Sequence, residues 1–191
     1  ESTSYPGTTY DHIVKVLSKN FIVGKEIFVG FSSERIDPGR NDNKIQTIPK
    51  VVSGYSKFCL EIVSKFYRKH FNKVFNADSL LIAEFSKLLE NVYRSVNIGF
   101  INEMKIIADK MGMDVLKIIE AANTKPYGFI RFWPGPGVGG HCIPIDPLFL
   151  NFAAKKFGYD SKFVKLSSHI NYRTVKFVES KVISFLTKNN I

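Results

Sequence analysis

The chain has 191 residues, 45% of them hydrophobic, with 27 Lys and Arg against 17 Asp and Glu for a net charge of +10. That share of apolar residues excludes intrinsic disorder, and the length suffices for a buried core in one or two domains. No run reaches the roughly 18 apolar residues of a membrane helix. The two cysteines, Cys59 and Cys142, cannot staple a secreted scaffold and follow no signal-peptide pattern, so a reducing cytoplasm is the expected compartment.

In chain order, the opening Glu1-Ser-Thr-Ser-Tyr-Pro-Gly-Thr-Thr9 has no apolar strand before it. Such a turn normally follows a buried strand, which predicts a start in mid-domain. Residues 11–17 read as a short helix, and 25–30 as a short apolar strand between turn signals. Residues 34–43, with Pro38-Gly39, are expected to form a loop. Strands are expected at 49–54 and 73–75, with a helix over 56–70 between them. That alternation predicts part of a parallel α/β layer.

The pattern changes at Ser79. An apolar stripe through Leu81, Phe85, Leu88, Val92, Val96 and Phe100 runs without proline to Gly112 and predicts a helix over 79–113. Periodicity does not choose between packing of that stripe within one chain and pairing with a second copy. A helix over 115–123 follows Asp114 as its cap. A proline- and glycine-rich stretch spans 126–147, and helices are expected at 148–157 and 162–188. The positive charges are mostly lysines on helix faces (Lys65, Arg68, Lys69) or in the tail (Lys176, Lys181, Lys188). With no arginine-rich run or recognition motif, no nucleic-acid partner is expected.

Chemistry concentrates in Pro134-Gly-Pro-Gly-Val-Gly-Gly-His-Cys-Ile-Pro-Ile-Asp-Pro147. Gly135 to Gly140 spells the dinucleotide pattern GxGxxG. The match fails in context, since no apolar strand leads into it and Pro144 and Pro147 argue against a helix directly after it. Glycines before a cysteine also admit a ligand close to backbone amides. Cys142 is therefore a candidate nucleophile, with a helix expected to start near Pro147; the alternative is a small residue in a structural loop. Cys59 lies among the apolar positions of a helix and reads as core. His141 has no second ligand at metal spacing, so no metal is expected.

A second group, Glu84, Lys87, Asn91 and Arg94, recurs at spacings of three and four and shares one helix face. It reads either as a solvated charged edge or as a site in which Asn91 makes a specific hydrogen bond and Lys87 stabilises an oxyanion.

Together these motifs resemble the UDP-glucose/GDP-mannose dehydrogenase family. They are the opening nonapeptide, Gly30-Phe-Ser-Ser-Glu-Arg-Ile-Asp-Pro-Gly39, Ile48-Pro-Lys-Val-Val-Ser-Gly54, Ala83 through Glu103, and Gly139-Gly-His-Cys-Ile-Pro-Ile-Asp-Pro147. The resemblance implies the end of a Rossmann parallel sheet over residues 1–77, then an all-α central dimerisation domain with the long helix over 78–191. The family's glycine-rich NAD fingerprint and its nucleotide-binding C-terminal domain are absent from these residues, so the 191 residues alone are expected to be inactive.

The implied activity is oxidation of a UDP-sugar's primary alcohol to the acid with NAD as cofactor, serving surface-polysaccharide precursors. Cys142 would carry the thiohemiacetal and thioester, Lys87 and Asn91 would stabilise oxyanions, and Asp146 with Thr3 would hold the attacking water. Glu34 would serve in acid–base steps. Arg35, Arg131, Phe132, Gly139 and Gly140 would bind the sugar nucleotide, and Glu1, Thr3 and Cys142 would contact the cofactor. His141 before the cysteine and Ile143-Pro-Ile-Asp146 after it resemble the branch acting on UDP-N-acetylhexosamines. A UDP-glucose enzyme and a non-catalytic dimerisation module are the alternatives. Ser33 stands where the family usually has proline.

Overall fold

The computed structural model describes residues 1–35 and 45–190. They form two compact units, Glu1–Glu90 and Asn91–Ile191.

In the first unit, the Pro6-Gly7 turn leads into a π-helical stretch at Thr9–Val14 that continues as α1 (Lys15–Leu17), where a short helix is expected. Three strands follow, β1 (Gly30–Ser32), β2 (Lys50–Gly54) and β3 (Val74–Asn76), with α2 (Lys57–Arg68) linking β2 to β3. β2 and β3 are parallel, with Val51 opposite Phe75. β1 and β2 are antiparallel, with Phe31 opposite Ser53, so the sheet is mixed.

The strand expected at 25–30 begins only at Gly30. Upstream, the backbone closes a turn instead, with Gly24 N–H donating to the Ile27 carbonyl at 2.7 Å. The Glu26 carboxylate accepts from Ile22 N–H at 2.6 Å, which ties the same turn. Of the loop expected at 34–43, Glu34 and Arg35 are described, and residues 36–43 lie outside the described residues.

β2 is buried along Lys50 to Ser53, as befits the middle strand. Ser56 caps α2, its hydroxyl accepting from Cys59 N–H at 3.2 Å. Cys59 itself is fully buried, as expected. The core gathers Val14, Val29, Phe31, Val51, Ala77, Leu80 and Ala83. Each large aliphatic buried there contributes about 1.5–3 kcal/mol.

The long helix α3 (Leu80–Lys110) has 31 residues, and the boundary between the units falls within it, at Glu90 and Asn91. Its buried positions differ from the expected stripe. Leu88 and Val92 point inward, but Leu81, Phe85 and Phe100 are 56%, 45% and 52% exposed. The inward positions also include Ala83, Glu84, Asn91, Ser95 and Asn102. The face expected to be a solvated charged edge is thus buried at Glu84 and Asn91. An uncharged or paired polar group can occupy such a face when its hydrogen bonds are met.

In the second unit, α4 (Val115–Ala122) starts at Asp114, whose carboxylate accepts from Leu116 N–H at 2.9 Å. Val115 and Ile119 pack with Ile101 and Ala108 of α3, and Met104 and Phe132 lie against them. α5 (Cys142–Lys156) and α6 (Lys162–Lys188) complete the unit.

The α5 start corrects the expectation of a helix beginning near Pro147 with prolines barring an earlier one. Pro144 falls in the first turn, where amides have no intrahelical acceptor to lose. Pro147, inside the helix, forgoes one backbone bond and is itself buried. Among the described residues, no helix is long and apolar enough to cross a membrane.

Candidate active site

Glu1, Thr3, Glu34, Arg35 and Lys87 belong to the first unit; Asn91, Arg131, Phe132, Gly139, Gly140, Cys142 and Asp146 belong to the second.

In the first unit, Glu1 sits near the buried Lys50, which forms an ion pair with its carboxylate. The Tyr67 hydroxyl donates to the other carboxylate oxygen at 2.9 Å. The Lys50 ammonium also lies 5.4 Å from the Tyr67 ring centroid and 5.2 Å from that of Phe71. Partial burial works to raise the pKa of Glu1. Hydrogen bonds from Lys50 and Tyr67, the Lys50 charge and a hydrogen bond with Glu34 outweigh it and hold the carboxyl below the ordinary value. Burial pushes the Tyr67 phenol up, as do its bond to Glu1 and the charges of Glu1 and Glu34, against a hydrogen bond with Ser32.

Glu1, Glu34, Arg35, Ile48, Lys50 and Phe71 line a cleft of about 240 Å³. Glu34 accepts from Arg35 N–H at 2.6 Å. Arg35, expected to bind substrate, pairs with Glu90 and donates to the Pro49 carbonyl at 3.0 Å. Thr3 and Lys87 are half-buried. Sequence reasoning passed over Lys50 and Tyr67; the available signal was a lysine inside an otherwise uncharged strand, which demands a counter-charge when buried.

Glu84 is the member of the helix-face group with a defined role in this unit. Its carboxylate, 1% exposed, accepts from Gly7 N–H at 2.6 Å and from Thr9 N–H at 2.8 Å. A carboxylate at the start of a helical segment satisfies amides that have no other acceptor.

In the second unit, Asn91 donates through Nδ2 to the Asp146 carboxylate, and both side chains are buried. This is the specific hydrogen bond that an asparagine inside a helix predicts. Asp146 lies on α5 one turn after Cys142, so the two share a helix face. Cys142 is the first residue of α5 and its thiol is a free, exposed one. Gly139 and Gly140 precede it, and a side chain grafted at either position would meet nothing within 4 Å. A ligand therefore has open access to the backbone beside the thiol.

Phe132 stands edge-on to Tyr93, with ring centroids 6.0 Å apart. The exposed Arg131 guanidinium lies 4.9 Å from the Trp133 centroid. Among the described residues, no strand leads into Gly135, so the GxGxxG reading fails on that ground, though its objection from the prolines does not stand.

An exposed thiol beside open backbone, with a buried amide–carboxylate pair one turn away, is equipped for covalent chemistry on a carbonyl. Comparisons with known proteins show what the chain as a whole is similar to. The chain is 41% identical over its whole length to protein CapL of Staphylococcus aureus. It is 37% identical to a UDP-N-acetyl-D-glucosamine 6-dehydrogenase of Pseudomonas aeruginosa. It spans 45% and 46% of these two relatives.

The solved structure of a UDP-D-ManNAc dehydrogenase from Pyrococcus horikoshii superposes with a TM-score of 0.89 at 34% identity, covering 100% of this chain and 45% of that one. Residues 82–173 match the UDP-glucose/GDP-mannose dehydrogenase family, central domain. The chain belongs to the UDP-glucose/GDP-mannose dehydrogenase family and carries its central domain.

Proposed function

We propose that this chain is part of an NAD-dependent 6-dehydrogenase that oxidises the primary alcohol of a UDP-N-acetylhexosamine to the uronic acid, a precursor for surface polysaccharide. The observation that carries this reading is the exposed Cys142 thiol heading α5, one turn from the buried Asn91–Asp146 pair. The names of the Pseudomonas and Pyrococcus relatives support the N-acetylhexosamine branch over UDP-glucose.

Glu1, beside a cleft with carboxylate, ammonium and aromatic walls, fits the hydroxyls and flat ring of a nicotinamide riboside, with Thr3 close by in sequence. NAD bound there would accept hydride from the sugar carbon. Cys142 adds to the aldehyde carbon: a C–S bond forms and the carbonyl electrons move to oxygen. Asn91 and Lys87 donate to that oxyanion, the kind of stabilisation that a fixed donor makes large. Re-formation of the carbonyl expels a second hydride, for which a second NAD would be the acceptor, and leaves a thioester on Cys142. Asp146, with Thr3, orients a water that attacks the thioester carbon; the C–S bond breaks and the thiol is restored.

Glu34 serves the proton transfers of both halves. Arg35, Arg131, Phe132, Gly139 and Gly140 would hold the sugar nucleotide. This chemistry suits a reducing cytoplasm, in which both thiols stay free.

The test uses the product of the whole open reading frame, offered UDP-glucose and the UDP derivatives of N-acetylglucosamine, N-acetylmannosamine and N-acetylgalactosamine. NADH and acid are expected with an N-acetylhexosamine. No oxidation of any of the four overturns the activity, and a preference for UDP-glucose overturns the branch. Because the chain spans less than half of its relatives, the 191 residues by themselves are expected to leave NAD unreduced.

We also propose a homodimer built on α3. Leu81, Ile82, Phe85 and Leu89 in the first unit, and Phe100 and Ile107 in the second, stand 44–56% exposed on that helix. So many large apolar side chains on one element mark an interaction surface. Sedimentation equilibrium should return twice the chain mass of 21.7 kDa; a single-chain mass at micromolar concentration sinks this proposal.

A further inference from the structure

The loop that presents Cys142 is tied down at its far end by two buried asparagines that the chemistry above does not use. Asn102, on α3, is 0% exposed, and Asn171, on α6, is 2% exposed. The Gly135 N–H donates to Asn102 Oδ1 at 2.9 Å. Asn102 Nδ2 donates to Asn171 Oδ1 at 3.2 Å, and Asn171 Nδ2 donates to the Ser95 carbonyl at 3.0 Å.

Both ends of this relay are backbone groups of fixed character, a donor at Gly135 and an acceptor at Ser95. Each amide can therefore satisfy its neighbours in one orientation only. Turning either amide over sets donor against donor or acceptor against acceptor in a buried place. The relay thus has a direction and a single register, and it joins α3, α6 and the loop.

Two glycines let the parts approach. A side chain at Gly99 of α3 would come within 3.2 Å of the Ser167 carbonyl on α6 and 3.5 Å of Asn171 Nδ2. Gly137 has φ +112, and a side chain there would meet Val175 at 2.9 Å and the Asn171 carbonyl at 3.0 Å. The loop therefore rides directly on α6, and at Gly137 in a conformation that favours glycine.

Between this attachment and α5, residues 138–141 have neither helix nor strand. Beyond them the helix is held at Asp146 by Asn91. Cys142 thus lies on a segment fastened at both ends, with the open glycines 139 and 140 between the fastenings.

We propose that Asn102 and Asn171 are positioning residues for Cys142, fixing the start of the cysteine loop as the Asn91–Asp146 pair fixes its end. The role in catalysis rests on the dehydrogenase reading above; the fastening itself does not. A displacement on the order of 1 Å in a reacting group is enough to cost about a hundredfold in rate, so a loosened loop lowers kcat and leaves substrate binding comparatively intact.

Two variants separate positioning from bulk stability. Asn102→Leu removes the acceptor for Gly135. Asn102→Asp keeps it, and as a buried neutral acid its second oxygen carries a proton to donate to Asn171 Oδ1, so Asn171 keeps its orientation toward the Ser95 carbonyl. In the 191-residue chain, amide hydrogen exchange at Gly135 is expected to accelerate about tenfold in Asn102→Leu, the size of one net hydrogen bond. Asn102→Asp should stay within about threefold of the parent, and amides in α4 should be unchanged in both, the exchange being local.

In the whole-gene enzyme, Asn102→Leu should lower kcat between about tenfold and a hundredfold with KM within about twofold; Asn102→Asp should restore most of it. Unchanged Gly135 exchange in Asn102→Leu overturns the fastening, as does an equal acceleration throughout the second unit. Unchanged kcat, or an aspartate variant no better than leucine, overturns the positioning role. If the parent enzyme oxidises no sugar nucleotide, the dehydrogenase reading and the catalytic part of this proposal fall together, and Gly135 exchange alone decides the fastening.

Discussion

Replacing Cys142 with serine in the whole-gene enzyme should stop acid formation, with the rate falling on the order of a thousandfold or more, as expected when a group bonded to the reacting carbon is removed. Serine keeps the size and position of the side chain at the head of α5, so folding is not the variable. What changes is the atom. An un-ionised hydroxyl is a far weaker nucleophile toward the aldehyde than sulfur, which is intrinsically very nucleophilic. An oxygen ester is also less reactive toward water than a thioester.

Oxidation should then stall at the aldehyde, so that each sugar consumed yields fewer NADH than in the parent, alongside loss of the acid by mass spectrometry. The control is Cys59→Ala, at a buried position of α2, which should leave the NADH-to-sugar ratio untouched. Full acid formation by Cys142→Ser would remove the nucleophile from the mechanism and with it the assignment of the glycine-rich loop.

How legible the molecule was in its sequence can be argued from particular residues. α6 follows from periodicity alone, and α3 is bounded by Ser79 and Gly112, because long helices repeat one signal many times. Asp114 betrays its cap because a short oxygen-bearing side chain ahead of an apolar run has few other uses. The start of α5 was obscured by a correct rule applied one turn too widely. Proline breaks helix interiors but is harmless where amides lack partners, and Pro144 is in such a place.

β1 was misplaced because Ile27, Phe28 and Val29 look like a strand, whereas the turn at Gly24 decides where pairing can begin. Residue identity alone does not report that turn. The candidate site was legible in part. Cys142 and Asn91 carry their own signals: glycines beside a thiol, and asparagine inside a helix. Asn102 sits in an equally unfavourable helical position, and only tertiary structure reveals its partners, Asn171 and Gly135, which lie far from it in sequence. Burial of Glu84 was hidden for the same reason, since its partners are amides near the start of the chain.

That burial makes Glu84 the position where substitution should most damage the first unit. Its carboxylate is the acceptor for two amides, Gly7 N–H and Thr9 N–H, at the head of the Thr9–Val14 helical segment. Glu84→Ala strands both donors in a place that water does not reach, at about 1–3 kcal/mol for each, so a total loss of about 3 kcal/mol or more is expected. Glu84→Gln is the sharper variant. It matches the shape but offers one oxygen, and its amide nitrogen would face the second N–H donor to donor. It should therefore cost less than alanine, yet about 1–3 kcal/mol, the penalty of one unpaired buried group.

Urea unfolding followed by circular dichroism should show the midpoint falling in the order parent, glutamine, alanine, with exchange of the Gly7 and Thr9 amides accelerating first. An alanine variant within about 1 kcal/mol of the parent would mean that the turn finds other acceptors, because a single net hydrogen bond is worth that much. The consequence for function follows from chain order. Gly7 and Thr9 anchor the segment that begins with Glu1 and Thr3, so the same variants should weaken NAD binding in the whole-gene enzyme. Raised KM for NAD with KM for the sugar nucleotide unchanged would tie that anchor to the cofactor side of the site; an unchanged KM for NAD would confine Glu84 to stability.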